Sequence, residues 1–133
     1  MHTIDIHVPH RPTAQKRHRH TRAGNTYDPC SADKKAFVKL CAQDCYPPCP
    51  PLTGPLRCTL RFTFARPRSH CTAKGLLKAG APRVHVCKPD ADNLAKFVLD
   101  ALNGIYYKDD SQIYYLNVEK KYGDEDSVRV QID

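Results

Sequence analysis

The stretch "LRCTLRFTF", residues 56–64, alternates apolar and polar side chains without interruption. Because successive side chains of a β-strand point to opposite sides, every second residue here falls on one face. The apolar face consists of Leu56, Cys58, Leu60, Phe62 and Phe64. Arginine and threonine occupy the other face, so the stretch predicts a strand with one side in the core and one side in water.

Three other segments show the same alternation and predict the remaining strands of a sheet. They are "TIDIHV" with Ile4, Ile6 and Val8 inward, "YYLNVEKKY" with Tyr114, Leu116 and Val118 inward, and "SVRVQI" with Val128, Val130 and Ile132 inward. Gly123 and Asp124 are typical turn residues and lie between the last two segments. They predict a hairpin between these two strands.

Two helices complete the predicted fold. The first has its N-cap near Ser31 and is ended by the prolines of residues 47–51, and the second runs from about Asp92 to Asn103. Gly104 suits the left-handed position after a helix. On a helical wheel the second helix places its apolar residues on one face, and Asp92, Lys96 and Asp100 follow one edge at steps of four. Residues 1–133 thus predict a single α+β domain, with a mixed, mostly antiparallel sheet and two main helices.

The net charge of +7 is unevenly distributed along the chain. Residues 1–89 carry a net charge of +12 and residues 90–133 a net charge of −5. A basic body suits a polyanion such as nucleic acid, although solvated surface lysines produce the same count. No apolar run approaches a membrane span or a signal-peptide core, so we expect a soluble, intracellular protein of the cytoplasm or nucleoid.

Seven cysteines raise the question of a metal site or a disulfide framework. An odd number without a secretory signal favours free thiols. Cys41, Cys45 and Cys49 stand four residues apart with Cys30 nearby, which leaves a zinc site as an alternative. The paired knuckles typical of structural zinc sites are missing from this pattern, so buried or incidental thiols are the favoured interpretation.

The stretch "KPDADNLAKFVLDALNGIYYKDDSQI", residues 88–113, gathers five aspartates. A purely structural interpretation has Asp92 capping the helix and Lys96 pairing with Asp92 and Asp100 on the surface. It leaves the adjacent pair Asp109 and Asp110 unexplained. Crowded carboxylates repel one another, so a cluster usually implies a divalent cation, and carboxylate oxygens suit Mg²⁺ or Mn²⁺. A hard cation on a basic protein indicates phosphodiester chemistry.

The same stretch closely resembles the signature of the RusA family of Holliday junction resolvases. The pattern D-x-D-N-x-x-K-x-x-x-D-A-L-N-G, followed by D-D-x-Q, is matched throughout. The opening "RPTAQKRHRHTRAGNTYDP" is similar to the basic start of that family, although "AQKRHRH" departs from the usual Arg-Pro-Arg. Residues 41–51 and 66–85 have no counterpart in the pattern.

The resemblance implies a Mg²⁺-dependent homodimer that nicks two opposed strands of a four-way DNA junction, and the carboxylate ligands would also accept Mn²⁺ as a substitute. It also implies a phage or viral source. It assigns metal binding to Asp90, Asp92 and Asp110 and an essential catalytic role to Lys96. Lys96 would stabilise negative charge on the phosphate in the transition state.

Residues beside these positions have two possible roles. Asn93, Asp100, Asp109 and Gln112 could orient the ligands or Lys96, or they could simply stabilise turns and surface pairs. Tyr106 and Tyr107 could stack on bases, but core packing is commoner for tyrosine.

Basic residues outside the aspartate stretch are candidates for DNA phosphate contacts. Arg17, Arg19 and Arg22 could follow one side of an extended segment, and a flexible charged loop is the alternative. The full candidate set is Lys16, Arg17, Arg19, Arg22, Arg66, Arg68 and Lys88.

Three other functions are compatible with the sequence. One is a nuclease for another branched DNA or for RNA, and a second is a DNA-binding protein that keeps the carboxylates without turnover. The third is a zinc-stabilised interaction module.

Overall fold

A computed structural model describes residues 3–133. The strands of the main sheet are β1 (Ile4–Val8), β4 (Leu56–Ala65), β5 (Ile113–Gly123) and β6 (Ser127–Ile132), and the short β2 (Arg19–His20) and β3 (Thr26–Tyr27) pair separately. The two helices are α1 (Ser31–Asp44) and α2 (Ala91–Leu102). Two 3₁₀ turns span Arg68–His70 and Asp110–Gln112.

The main sheet has the strand order β1-β6-β4-β5. Strand β6 is antiparallel to both of its neighbours, while β4 and β5 are parallel, with Leu60 opposite Val118. The predicted α+β class, with a mixed and mostly antiparallel sheet and two helices, is confirmed.

The predicted hairpin between the last two strands is wrong. Strand β4 lies between β5 and β6, and β5 runs parallel to β4. The chain must therefore cross the end of β4 to pass from β5 to β6. The crossing segment is fixed there by a hydrogen bond from the Ala65 N–H to the Asp126 carboxylate at 2.8 Å. Gly123 is needed at this crossing, since a Cβ atom would stand 2.6 Å from the Thr63 methyl carbon.

Both helices pack on one face of the sheet and bury the predicted apolar residues of β1, β4 and β6. Phe37 of α1 meets Phe97 of α2 edge to face, with ring centroids 5.8 Å apart. On the opposite face the side chains are polar, and Arg129 forms a two-pronged pair with Asp5. The sheet is therefore half-buried, as the alternation of residues 56–64 predicts.

The ends of the helices differ slightly from the prediction. Helix α1 begins at Ser31 with Cys30 in the N-cap position, and α2 begins at Ala91 with the extended Asp90 in that position. The capping role of Asp92 in the structural interpretation is therefore wrong, since Asp92 lies in the first turn. Gly104 has a φ of +78°, as expected after the helix.

Strand β5 differs from its prediction at its start. Tyr114 is 68% exposed and Leu116 is 44% exposed, so their inward placement is wrong, whereas Val118 is half-buried. The pairing register with β4 shifts at Tyr114, which leaves this residue as a bulge. Leu116 does share the helix-covered face with Cys58, but it lines a cavity at this edge of the sheet.

All seven cysteines are free thiols. Burial raises the pKa of Cys41 and of Cys58 to about 12, whereas Cys49 is exposed. Within residues 3–133 no three Cys, His, Asp or Glu side chains form a ready metal cluster, so the zinc alternative finds no site there. Neither helix of that range combines the length and apolarity needed to cross a membrane.

Candidate active site

A groove runs between α2 and the first half of β5, around a cavity of about 520 Å³. Its polar lining consists of Asp92, Lys96, Asp100 and Asp110. Its apolar wall consists of Ala91, Ala95, Leu99, Leu116 and Val118. We call it the acidic groove.

Helix α2 fixes three of the four polar groups. Leu94, Phe97 and Val98 are fully buried, which sets the rotation of the helix against the sheet. Because Asp92, Lys96 and Asp100 recur every four residues, that rotation aligns all three along the groove. The edge predicted from the helical wheel is therefore present in the structure.

Asp110 reaches the groove from the 3₁₀ turn before β5. Gln112 holds this turn in place, because its Nε2 donates to the Leu52 carbonyl at 3.1 Å and to the Gly54 carbonyl at 2.9 Å. The Gln112 Oε1 accepts from the Asp109 N–H at 2.8 Å, and the Asp109 carboxylate accepts from the Ser111 N–H at 3.4 Å. Asp109 and Gln112 thus position the turn that carries Asp110.

The connection from α2 to this turn is fixed by two fully buried tyrosines. The Tyr107 hydroxyl donates to the Leu99 carbonyl at 2.6 Å, and the Tyr106 hydroxyl donates to the Cys45 carbonyl at 2.7 Å. Both rings lie in the core and are inaccessible to bases. Core packing, rather than base stacking, is their role in the fold.

The carboxylates at the groove influence one another. Burial, together with the hydrogen bond and negative charge of Asp109 and the charge of Asp100, raises the pKa of Asp110. Hydrogen bonds from Ser111 lower the pKa of Asp109. Burial makes the largest contribution and the charges of Asp109 and Asp100 add to it, so a cation beside these carboxylates would favour the ionised form of Asp110.

The donor set therefore fits a hard divalent cation in its chemistry, since all its oxygens are carboxylates. Asp92 and Asp110, far apart in sequence, line one cavity. However, no group of three candidate ligands is already clustered among residues 3–133. The groove thus has the ligand type for Mg²⁺ without a preformed three-carboxylate cage.

Asp90 lies just outside the lining of the acidic groove, at the N-cap of α2. Its side chain is 52% exposed and stands 3.9 Å from the Lys88 ammonium. Lys120 fixes the chain before it, since its Nζ donates to the Cys87 and Pro89 carbonyls, each at 2.8 Å. Of the three expected metal ligands, the structure brings Asp92 and Asp110 to one cavity and leaves Asp90 at its margin.

The interpretation that pairs Lys96 with Asp92 and Asp100 on the surface is wrong. Lys96 forms no ion pair with any residue that the structure describes. Asp100 instead faces Lys34 of α1 at 3.6 Å, and Lys34 binds Asp28 at 2.6 Å. Lys96 is exposed in the groove lining, where its ammonium is available to a ligand.

The first group of basic residues starts beside α2. The Gln15 N–H donates to the Asn93 carbonyl at 2.9 Å, and the Lys16 N–H contacts the Cys30 sulfur at 3.4 Å. Residues 19–27 then form a hairpin instead of a single extended segment. Arg19 and Arg22 are exposed on this hairpin, and Lys16 and Arg17 are exposed just before it.

Of the remaining candidates for DNA contact, Arg66 and Arg68 lie at the other end of β5, whereas Lys88 lies beside Asp90 at the margin of the acidic groove. The Arg66 guanidinium covers the Tyr122 ring and donates to the Pro82 carbonyl at 2.7 Å. Arg68 and Lys88 are exposed.

Sequence reasoning missed the network that joins the basic hairpin to the groove. The Asp28 carboxylate accepts hydrogen bonds from Gln15 Nε2 and the Cys30 N–H, each at 2.9 Å, and from Lys34. Neither Asp28 nor Lys34 stands in a regular spacing to Asp100, so the sequence contains no signal for it. The hydrogen bonds from Lys120 to the chain before Asp90 were also missed, since Lys120 has no regular spacing to that segment.

Two comparisons with known proteins agree with the motif. The family model described as Endodeoxyribonuclease RusA matches residues 9–133, which is nearly the whole chain. The chain is also 36% identical to a Bacillus subtilis (strain 168) protein named Uncharacterized protein YqaN, across 91% of this chain and 89% of that relative.

Proposed function

Since this chain belongs to the RusA family of endodeoxyribonucleases, we propose that it resolves four-way DNA junctions by Mg²⁺-dependent hydrolysis of two opposed phosphodiester bonds. One observation carries the proposal. Asp92, Lys96 and Asp110 line a single groove although the two carboxylates are eighteen positions apart in the sequence. The family supplies the substrate class, and the groove supplies residues suited to the chemistry.

Asp92 and Asp110, with Asp90 at the margin, would hold the divalent cation, and Mn²⁺ would substitute for Mg²⁺. When bound, such an ion withdraws charge from the phosphate and lowers the pKa of water. Asp109 and Gln112 would act on Asp110 by holding its turn, and Asp100 adds negative charge beside it. The charges of Asp109 and Asp100, which add to burial in raising the pKa of Asp110, are consistent with a cation at this position.

Lys96 would bind a non-bridging or leaving oxygen of the scissile phosphate. Its ammonium stands one helical turn from Asp92 in the same groove, so the two groups can act on one phosphodiester. The apolar wall formed by Leu99, Leu116 and Val118 displaces water from one side of the groove. Exclusion of water lowers the local dielectric constant, which strengthens the attraction between Lys96 and the phosphate.

Two opposed nicks require two sites, and a four-way junction is approximately two-fold symmetric. A homodimer with a two-fold axis places equivalent grooves against equivalent phosphates. We therefore include dimerisation in the proposal. Measuring the mass of the protein in solution by light scattering tests this part separately.

The decisive experiment is cleavage of a mobile four-way junction in Mg²⁺ and in chelator. We expect paired nicks from the wild type in Mg²⁺ alone, and none from Asp92→Asn, which retains junction binding. Asp33→Asn is the matched control, because Asp33 is an exposed carboxylate in the first turn of α1. Full cleavage by Asp92→Asn would refute the assignment of the groove.

The same assay separates the alternatives. Preferred cutting of flaps would indicate a nuclease for another branched DNA, and preferred cutting of RNA would indicate a ribonuclease, with linear duplex as the unbranched comparison. Junction binding without metal-dependent products would indicate a DNA-binding protein that lacks turnover.

A further inference from the structure

Residues 66–89 form a strongly basic segment that the acidic groove does not use. It contains six Lys or Arg residues and no Asp or Glu. The N-terminal segment, residues 9–27, contains five Lys or Arg residues and likewise no acid. Neither segment therefore contributes a carboxylate of its own that would repel a polyanion.

Both segments fold into a hairpin with the same five-residue tip. The tips are Thr21–Asn25, "TRAGN", and Thr72–Leu76, "TAKGL". In each tip the threonine N–H donates to the carbonyl of the fifth residue, at 2.7 Å in both cases. The fifth residue returns its N–H to the threonine hydroxyl, at 3.1 Å in the first tip and 3.2 Å in the second. Gly24 and Gly75 occupy the fourth position with φ of +85° and +81°.

The second hairpin has a fixed base. Cys71 and Leu77 pair through an isolated antiparallel β-bridge of the backbone, and the Lys78 N–H donates to the His70 carbonyl at 3.0 Å. The His70 ring packs edge to face on Tyr122 of β5, with centroids 4.8 Å apart. The hairpin therefore projects from the sheet in a defined direction and differs from a flexible charged loop.

A cavity of about 510 Å³ lies against this hairpin. Its lining consists of Arg66, Arg68, Cys71, Thr72, Ala73 and Gly75. The two guanidinium groups provide planar donors for phosphate oxygens, and the tip beside them adds the exposed Lys74. Lys78, also exposed, follows at the base.

We propose that the hairpin of residues 71–77, with Arg66 and Arg68 at its base, binds the phosphate backbone of a duplex arm. The N-terminal hairpin would bind another tract of the same substrate. This inference rests on the proposed function, because it assumes branched DNA as the substrate. The segment continues through Lys88 to Asp90, and Lys120 ties the connecting chain to β5. An arm held by the hairpin is thereby joined through a short, anchored connection to the start of α2.

The test compares two double variants that remove the same charge. Lys74→Gln/Lys78→Gln alters the second hairpin, and Lys35→Gln/Lys39→Gln alters exposed lysines of α1. Binding is measured by fluorescence anisotropy in chelator, over a series of salt concentrations, on four-way junctions with long and with short arms. All four side chains are exposed, so folding is expected to be unaffected.

On long arms we expect the hairpin variant to bind about tenfold more weakly, with the slope of log affinity against log salt reduced by about 2. We expect the α1 variant to resemble the wild type. On short arms the hairpin variant should also resemble the wild type. Equal losses in the two variants would overturn the proposal, and so would an equal loss on short and long arms.

A second variant separates hairpin shape from charge. Gly75→Val keeps every cation but places a β-branched residue at a φ of +81°, which strains the tip. We expect weaker binding to long arms alone, and unchanged binding would refute the role of the tip geometry. If the wild type itself binds no branched DNA, the proposed function fails, which is a different result from a loss confined to the hairpin variants.

Discussion

The acidic groove and the two basic hairpins are built in opposite ways. The groove is carried by α2, whose apolar face is fully buried, and by a 3₁₀ turn that Gln112 anchors to residues 52–54. The hairpins place their cations on exposed tips with few buried side chains. Cleavage needs groups held within a fraction of an ångström, whereas phosphate contacts of the DNA backbone tolerate movement. The fixed geometry of the groove matches the precision that its proposed task demands, and the exposed cations of the hairpins suit contacts with a DNA backbone.

The two regions are nevertheless connected. Gln15, at the root of the N-terminal hairpin, binds Asp28, and Lys34 bridges Asp28 to Asp100 at the groove. The hairpin root also contacts Asn93 of α2 directly. In the proposed complex, DNA held by the first hairpin would thus be linked to the helix that carries Asp92 and Lys96.

The largest expected effect is a loss of cleavage rate that separates the adjacent carboxylates Asp109 and Asp110. We expect Asp110→Asn to lower single-turnover cleavage of a four-way junction by about 10³-fold or more, because it removes a charged ligand. Asp109→Asn should lose about tenfold or less, since asparagine also caps turns. Equal losses in the two variants would contradict their separate roles.

Lys96 gives the next largest effect. We expect Lys96→Ala to slow single-turnover cleavage by about 10²-fold while Mg²⁺ dependence is unchanged, because the ammonium stabilises charge without binding metal. Lys108→Ala is the control, since Lys108 is exposed near the same turn but outside the groove lining. An unchanged rate in Lys96→Ala would refute its catalytic role.

The fold was largely predictable where a residue pattern determines local structure. The alternation in residues 56–64 and the apolar face of α2 gave the correct elements and the correct core. The pairing of β5 was missed because Gly123 and Asp124 signal a change of direction without identifying the partner strand. The crossing over β4 depends on the hydrogen bond between Ala65 and Asp126 and on the close approach of Gly123 to Thr63. Both join residues that are far apart in the sequence.

The candidate site was predictable to the same extent. The i, i+4 spacing placed Asp92, Lys96 and Asp100 on one edge, and a short connection brought Asp110 back to it. The marginal position of Asp90 and the pairing of Asp100 with Lys34 depend on neighbours from other elements. Tertiary contacts of this kind have no fixed spacing in the sequence.

A smaller effect is expected from the N-terminal hairpin. Arg17→Gln/Arg19→Gln should weaken junction binding by about tenfold and reduce the salt dependence by about two counterions. The cleavage rate at saturating protein should stay the same, because both residues lie outside the groove. A slower saturated rate with unchanged affinity would show that the hairpin acts on the chemistry and would remove the contrast between the two regions.

The smallest expected effect concerns Asp28, the residue that joins the two regions. Burial opposes its ionisation, but hydrogen bonds from Lys34, the Cys30 N–H and Gln15 outweigh burial and hold the pKa of Asp28 well below its usual range. A depressed folded-state pKa stabilises the protein above the unfolded pKa of about 4, and this contribution fades as the pH falls further.

We therefore expect Asp28→Asn to lower the free energy of unfolding by about 1 kcal/mol at neutral pH, because asparagine keeps acceptor bonds but loses the charge that pairs with Lys34. Urea unfolding at pH 7 and at pH 3 measures the difference, which should shrink at the lower pH because the carboxylate becomes protonated in the unfolded chain while it stays ionised in the folded protein. Asp33→Asn, an exposed change in the first turn of α1, should show little difference at either pH. A deficit of equal size at both pH values would mean that shape rather than charge links the hairpin root to α1, and the electrostatic connection to Asp100 would then fail.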